Sequence, residues 1–278
     1  MLLGEKVKDL RPLTEHKAAR YLLTRVKEGS RDLDRQALHT YWGRLVSTYF
    51  SSHLTKESDR LIAMSGTAKA FQESSGDVYL AGLWKRNIHT HLAWRTGASL
   101  GAPCRWSSSY APSWSWASII GGQVILEDVP LVKLSLIKLI EQRIETEPPG
   151  GDPTGLLRSA QLDIRCNLLY YRLYMDTKTL LLFGNEDETE CLSRLQSEAY
   201  QLHFDTLELV EGLNDLDTVG GMCMPLFRTD TWKFTHTYLL LQKVSDNMFA
   251  RLGILLAAHA EYPESWMGKR NEHHITLI

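Results

Sequence analysis

Five of the chain's eight tryptophans, Trp84, Trp94, Trp106, Trp114 and Trp116, fall within 33 residues. Few features limit a fold so tightly, because each indole brings a large apolar surface and one N–H that needs an acceptor. Three of them sit in two short runs, Tyr79-Leu-Ala-Gly-Leu-Trp84 and Tyr110-Ala-Pro-Ser-Trp-Ser-Trp-Ala-Ser118. Trp114 and Trp116 alternate with Ser113 and Ser115, which is the period-two pattern of a strand with one buried face. Pro112 has a fixed φ and no N–H, so it marks the entry to that strand. Packed together, these rings form the aromatic core of a β-domain. Spread along a cavity, they form the wall of a pocket for an apolar, ring-containing ligand. Both readings stay open on the sequence.

At 278 residues the chain is long enough for a sizeable core, in one large domain or two closely packed units. Its 44% hydrophobic and 23% charged content is that of an ordinary globular protein. The net charge of -2 offers no basic excess for a phosphate backbone, so nucleic acid is not an expected partner. The first residues, Met-Leu-Leu-Gly-Glu-Lys-Val-Lys-Asp-Leu, are charged too early and too evenly for a signal peptide. No run of about eighteen apolar residues occurs, so neither a membrane-spanning helix nor membrane insertion is expected. These features place the chain in the cytoplasm. Cys104, Cys166, Cys191 and Cys223 are widely spaced and lack a Cys-x-x-Cys pair, which fits separate thiols rather than disulfides or a zinc site.

The first hundred residues read as helical. Thr14-Glu15-His16 caps a helix toward Val26. Apolar groups at Leu33, Ala37, Leu38, Trp42, Leu45, Val46 and Tyr49 trace one face of a helix over Asp32–Phe50. Thr55 is the N-cap expected for a helix through Phe71, with acids in its first turn. Residues 86–95 form a short helix. The stretch from Thr96 to Ser109 is turn chemistry. Beyond it the pattern becomes strand-like, over 131–145, 156–174, 179–183, 200–210, 219–228, 236–245, 249–258 and 273–278. Pro148 to Pro153 breaks the chain between strands, and Asp246-Asn247 reads as a tight hairpin turn. The expected fold class is α+β: a helical N-terminal layer, residues 1–100, packed on an antiparallel β-barrel or β-sandwich, residues 101–278.

No phosphate-binding loop, Gly-x-Gly-x-x-Gly, Gly-x-Ser-x-Gly or His-Glu-x-x-His occurs. No cofactor and no metal are therefore expected. His89 and His91 point apart on a helix and share a face only on a strand, and a metal would need a third ligand. His273-His274 are discounted in the same way. Asp59-Arg60 is a charged pair in an apolar helix. Its Arg fork suits a carboxylate or main-chain carbonyls that tie the helical layer to the β-half. Alternatively, Arg60 or Arg95 reaches a cavity and grips a polar group on a ligand.

The paired runs also carry a resemblance. Leu54-Thr55, Asp59 to Ala63, Gly66, Ala68, Tyr79 to Trp84, Leu92, Trp94-Arg95 and Tyr110 to Ser118 are similar, in that order, to a fungal family. They resemble the region that follows the effector domain in heterokaryon-incompatibility (HET-domain) proteins. Gly151-Asp152-Pro153, Gly155 and Arg251 to Ile254 are weaker echoes. The resemblance spans residues 40–278 and implies a fungal source. The signature stretches of the effector segment are not found.

Two functions follow. The first is a stand-alone enzyme of fungal secondary metabolism, a cofactor-independent cyclase of the Diels–Alder type. An apolar terpenoid or polyketide would lie in a pocket shaped by Trp84, Trp94, Tyr110, Trp114 and Trp116. Arg95, His91 or Arg60 would supply donors, since orientation and a donor on a developing charge can each lower a barrier. The second is a non-catalytic interaction or regulatory module that recognises another protein. Residual effector activity is a third and weaker expectation.

Overall fold

The computed structural model describes residues 32–50, 59–97, 103–105, 110–126, 132–211, 216–230, 233–258 and 272–278. The expected helix toward Val26, the Thr55 cap and Trp106 lie outside the described residues.

Two helices open the described fold, α1 (Asp32–Phe50) and α2 (Arg60–Ser75). Ala37, Leu38, Tyr41, Trp42, Val46 and Phe50 are buried on α1, at the spacing of one helical face. On α2 the buried set is Arg60, Leu61, Met64, Ala68, Phe71 and Ser75. Gly76 ends α2 in the left-handed region, φ 61°, and its N–H donates to the Gln72 carbonyl at 2.8 Å.

Strands β1 (Tyr79–Leu80) and β2 (Leu83–Trp84) then form a minimal hairpin. Its turn residues, Ala81 and Gly82, have φ of 45° and 97°, as a two-residue hairpin turn requires. Residues 86–95, expected as one helix, divide instead. A 3-10 turn at Lys85–Asn87 leads into α3 (Ile88–His91), and Arg95 lies in β3 (Arg95–Gly97). β3 pairs with β6 (Gln123–Ile125), and β4 (Cys104–Arg105) pairs with β5 (Ile119–Ile120).

The second half is β7 (Val132–Ser135), β8 (Ile137–Thr146), β9 (Leu157–Asn167), β10 (Leu169–Tyr174), β11 (Thr179–Phe183), β12 (Cys191–Leu195), β13 (Tyr200–Phe204), a short α4 (Leu207–Glu211), β14 (Thr218–Thr229), β15 (His236–Ser245), β16 (Met248–Ala257) and β17 (Glu272–Leu277). They form a single curled sheet around the antiparallel meander β14–β15–β16. The outer edge of β14 carries β10 along one half and β7 along the other. The outer edge of β16 carries β17, in parallel, and then β13. β7 and β8 are one residue apart, and that residue, Leu136, donates its N–H to the Leu226 carbonyl at 2.9 Å. β8 pairs with β9, and β9 with β17, so the curled sheet comes back onto β14 through β7.

Alternation along the meander feeds two cores. Met224, Leu226, Leu239, Leu241, Ile254 and Leu256 join the larger core, which also holds the helices and the tryptophans. Cys223, Tyr238, Leu240, Leu255 and Ala257 join a smaller core under β10, β11 and β13. Both faces are covered, and this is why these strands read as continuous apolar runs. The α+β class is the one expected: helices packed on a strand-rich half whose sheet curls like a barrel. Among the described residues no helix is long and apolar enough to cross a membrane.

Two further local expectations fail, and one strand is unforeseen, for physical reasons. Ser113 to Trp116 is not a strand. Ser115 donates its N–H to the Pro112 carbonyl at 2.9 Å, and its hydroxyl accepts from the Ala117 N–H at 3.1 Å. This turn chemistry opens a 3-10 turn at Trp116–Ser118. The strand expected over 200–210 stops at Phe204, where buried Asp205 and Thr206 turn the chain into α4. β12 carries little sequence signal because Cys191 to Leu195 is a short edge strand, buried only at Leu195 and paired among the described residues only with β11.

Candidate functional site

The two tryptophan-bearing runs close on each other. The Gly82 carbonyl accepts both the Trp42 and the Trp116 indole N–H, each at 2.9 Å. The neighbouring Ala81 carbonyl accepts the Ser115 hydroxyl at 2.6 Å. The hairpin turn thus presents two carbonyls, and the serine–tryptophan run fills them. A Cβ at Gly82 would sit 2.6 Å from the Trp116 Nε1, so a side chain and the indole exclude each other. Trp42, Trp84, Phe71 and Tyr79 meet edge-on or stacked, with centroids 5.2–6.1 Å apart. Trp84, Trp94, Trp114 and Trp116 are at most 1% exposed. The structure thus packs the sequence-derived tryptophans into the core. The Trp84 and Trp114 indole N–H groups have no acceptor among the described residues.

A buried ion network stands behind this cluster. β13 crosses β16 so closely that a Cβ at Gly253 would collide with the His203 carbonyl. This approach sets Asp205 against Arg251. The Arg251 guanidinium is fully buried and meets the 1%-exposed Asp205 as a fork, at 2.8 and 2.9 Å. It also donates to the Leu92 and Trp94 carbonyls and stacks 3.4 Å over the Trp94 ring. Burial pulls its pKa down, and Asp205 opposes that pull. Arg105 reaches the same carboxylate at 2.9 Å. Its other bonds go to the Arg251 carbonyl, the Ser113 carbonyl and the Ser118 hydroxyl, at 2.8–3.0 Å. The Ser113 hydroxyl accepts from the Arg251 N–H and donates to the Ile278 main-chain oxygen.

Outside this network lies a cleft of about 320 Å³. One wall is Tyr110 to Ser113, the other is β9 from Leu157 to Gln161, and Arg105 lies at the base. Tyr110 is 41% exposed and is the one sequence-derived aromatic on this wall. A second, more open cleft of about 600 Å³ lies between Val78–Leu80, β8 and the Pro149–Pro153 loop, and Arg158 borders both.

The three sequence-derived donors are elsewhere. Arg60 is buried, donates to the Ile119 carbonyl at 2.5 Å and lies 4.0 Å over the Phe50 ring. It ties α2 to β5, the structural role its fork suggests. Arg95 is half-buried on β3. His91 is buried beside His39, with ring centroids 5.4 Å apart. Burial pushes its pKa well below the usual value, and His39 and His89 add to this. Burial also takes His39 down to about 4, against the pull of Asp77 3.6 Å away, and takes His89 to about 4. None of Arg60, His91 and Arg95 borders either cleft. Among the described residues no group of three or more His, Cys, Asp or Glu could hold a metal.

Sequence reasoning missed Arg105, Asp205, Arg251 and Arg158. Arg251 had a signal: it is the lone charge in the apolar strand Met-Phe-Ala-Arg-Leu-Gly-Ile-Leu-Leu-Ala. Asp205, 46 residues away, had none. Compared with family models, curated proteins and solved structures, the chain matches none.

Proposed function

We propose that this chain is a non-catalytic interaction module whose working surface is the cleft between Tyr110–Ser113 and the start of β9. One observation carries the reading: the polar groups at the base of the cleft are already committed to the protein. The Arg105 guanidinium serves Asp205, Ser113, Ser118 and Arg251. The Ser113 hydroxyl is bonded on both sides. A catalytic donor must be aimed at charge as it develops on a substrate, and these are aimed inward. On this proposal the chain is a cytoplasmic derivative of the post-effector region of fungal heterokaryon-incompatibility proteins, and the interlocked Tyr79–Trp84 and Tyr110–Ser118 runs support that resemblance.

A second reading is favoured by the size of the cleft, which falls in the range of small-molecule sites. It is a cofactor-independent cyclase of fungal secondary metabolism, with an apolar terpenoid or polyketide against Tyr110. Both readings meet in one experiment: the full chain is screened by thermal shift and product analysis against apolar polycyclic terpenoid and polyketide intermediates. The module reading expects neither a rise in melting temperature nor product above background. A dose-dependent rise with turnover would overturn it and establish the cyclase, because a ligand of the folded state stabilises by mass action.

A further inference from the structure

Two histidines meet where the helical layer joins the hairpin. His39 of α1 and His91 of α3 lie edge to face, with ring centroids 5.4 Å apart. The Nδ1 atoms of both rings are buried and have no hydrogen-bond partner among the described residues. Asp77, in the link between α2 and β1, comes within 3.6 Å of the His39 Nε2. That separation is too long for a hydrogen bond. The Asp77 carboxylate already accepts the Val78 N–H at 2.7 Å and the Arg86 N–H at 3.2 Å. Arg86, in the 3-10 turn before α3, adds a positive charge here and spends its guanidinium on the Ser75 and Gly76 carbonyls. His89, the other titratable group of α3, lies against the Phe227 ring of β14.

This arrangement suits neutral rings and leaves charged ones unsatisfied. A protonated imidazole has two N–H donors, and one nitrogen of each ring faces no acceptor. A buried charge without partners is costly, and two charged rings this close repel. Burial accordingly holds His39 at about 4, against the pull of Asp77 and with the help of Arg86. Burial also pushes His91 well below the usual value, and His39 and His89 add to the push.

The same stretch of α1 shuts the aromatic cluster. Trp42, about one turn on from His39, donates to the Gly82 carbonyl and packs on Phe71, Tyr79 and Trp84. At the next residue, Gly43, a Cβ would come within 3.0 Å of the Leu126 carbonyl, so α1 lies close on the chain just after β6. The smaller core, under β10, β11 and β13, contains no residue of α1 or α3.

We propose that the His39–His91 pair is a proton-operated latch: in mild acid it takes up a proton, α1 lifts from α3 and the hairpin, and the aromatic face of Phe71, Tyr79 and Trp84 is uncovered while the meander stays folded. The open state binds protons that the closed state refuses. The latch is therefore fully closed above about pH 6.5, and opening becomes easier as the pH falls toward 4. Partial opening of one unit, short of global unfolding, is the expected form. What it uncovers is an apolar aromatic surface, hidden at neutral pH, of the kind that binds other proteins.

The test is amide exchange of the full chain at pH 7 and pH 5, corrected for the intrinsic pH dependence of exchange. Trp42 to Val46 report on α1, and Tyr238 to Leu241 report on the meander. Protection of α1 should fall by about tenfold or more between the two pH values, as one histidine held near 4 against 6.5 in the open state allows. At pH 5 it should lie at least about tenfold below that of the meander. His39→Gln should remove most of the fall in α1. His89→Gln should leave that fall in place, because His89 stays with α3 and the sheet when α1 lifts. Equal protection of α1 and the meander at pH 5 would overturn the latch, since α1 would then open only with the whole fold. A fall in α1 that is absent in the unaltered chain, or undiminished in His39→Gln, would overturn it as well. The comparison of the two elements needs no variant, so it stands even where His39→Gln fails to fold.

Discussion

The tryptophan interlock and the cleft are built from the same run of chain, and they differ in where its polar groups point. Ser115 and Trp116 turn inward and close on the Ala81 and Gly82 carbonyls. Tyr110 to Pro112 instead line the cleft, across from Leu157 to Gln161 of β9. Trp114 and Trp116 are 0% exposed and Tyr110 is 41% exposed, although only four to six residues separate them. The comparison teaches that aromatic density marks a core where main-chain carbonyls wait for the indoles. Where an aromatic is left at the surface, as Tyr110 is, it lines a cleft instead. Charge divides in the same way: Arg251 is buried with a carboxylate, two carbonyls and a ring, and Arg158 is exposed at the rim.

The sharpest way to break this contrast is at Asp205. Asp205→Ala leaves the Arg251 charge buried without its carboxylate, and urea denaturation should show a loss of about 3–5 kcal/mol. A loss below about 1 kcal/mol, the range of an exposed pair, would mean the network is not what fixes β13 and β16 to the tryptophan cluster. Next is Gly82→Ala, which strains a left-handed turn and displaces the Trp116 indole. Its expected cost is roughly 2–3 kcal/mol, measured as a denaturation midpoint. Trp116→Phe, which removes only the indole bond and some ring area, should cost about 1–2 kcal/mol.

Acid gives a smaller and broader effect. Burial holds the His39 and His89 pKa values near 4 in the folded chain. The unfolded chain takes up those protons near 6.5. The unfolded state therefore binds more protons between these values, and stability, complete above pH 6.5, falls as the pH drops toward 4. The loss is on the order of 1–3 kcal/mol, and a His39→Gln, His89→Gln variant should show a flatter slope over that window. Arg158→Glu comes last. At the exposed rim it should shift stability by no more than about 0.5 kcal/mol, so any loss of binding it causes is not a folding defect.

Much of the fold was legible because its signals are local. The apolar face of Asp32–Phe50 gave α1 its observed bounds, and alternation and turn residues placed β11 and β15 at theirs. Asp246-Asn247 is the expected tight turn, with Asn247 at φ 60° between Ser245 and Met248. Ser113 to Trp116 misled because alternation in sequence was produced by a serine-capped turn rather than by a pleat. The site was less legible. Arg105, Asp205 and Arg251 meet across as many as 146 residues, and no spacing rule reaches that far.

Hydrogen exchange of the Trp116 indole N–H in the free chain tests the central claim most directly. The account predicts strong protection, because that N–H is bonded to the Gly82 carbonyl and the ring is 0% exposed. Fast exchange would mean that the ring meets solvent, as the wall of an open pocket does, and would contradict the account of the two tryptophan-bearing runs as an interlocked core.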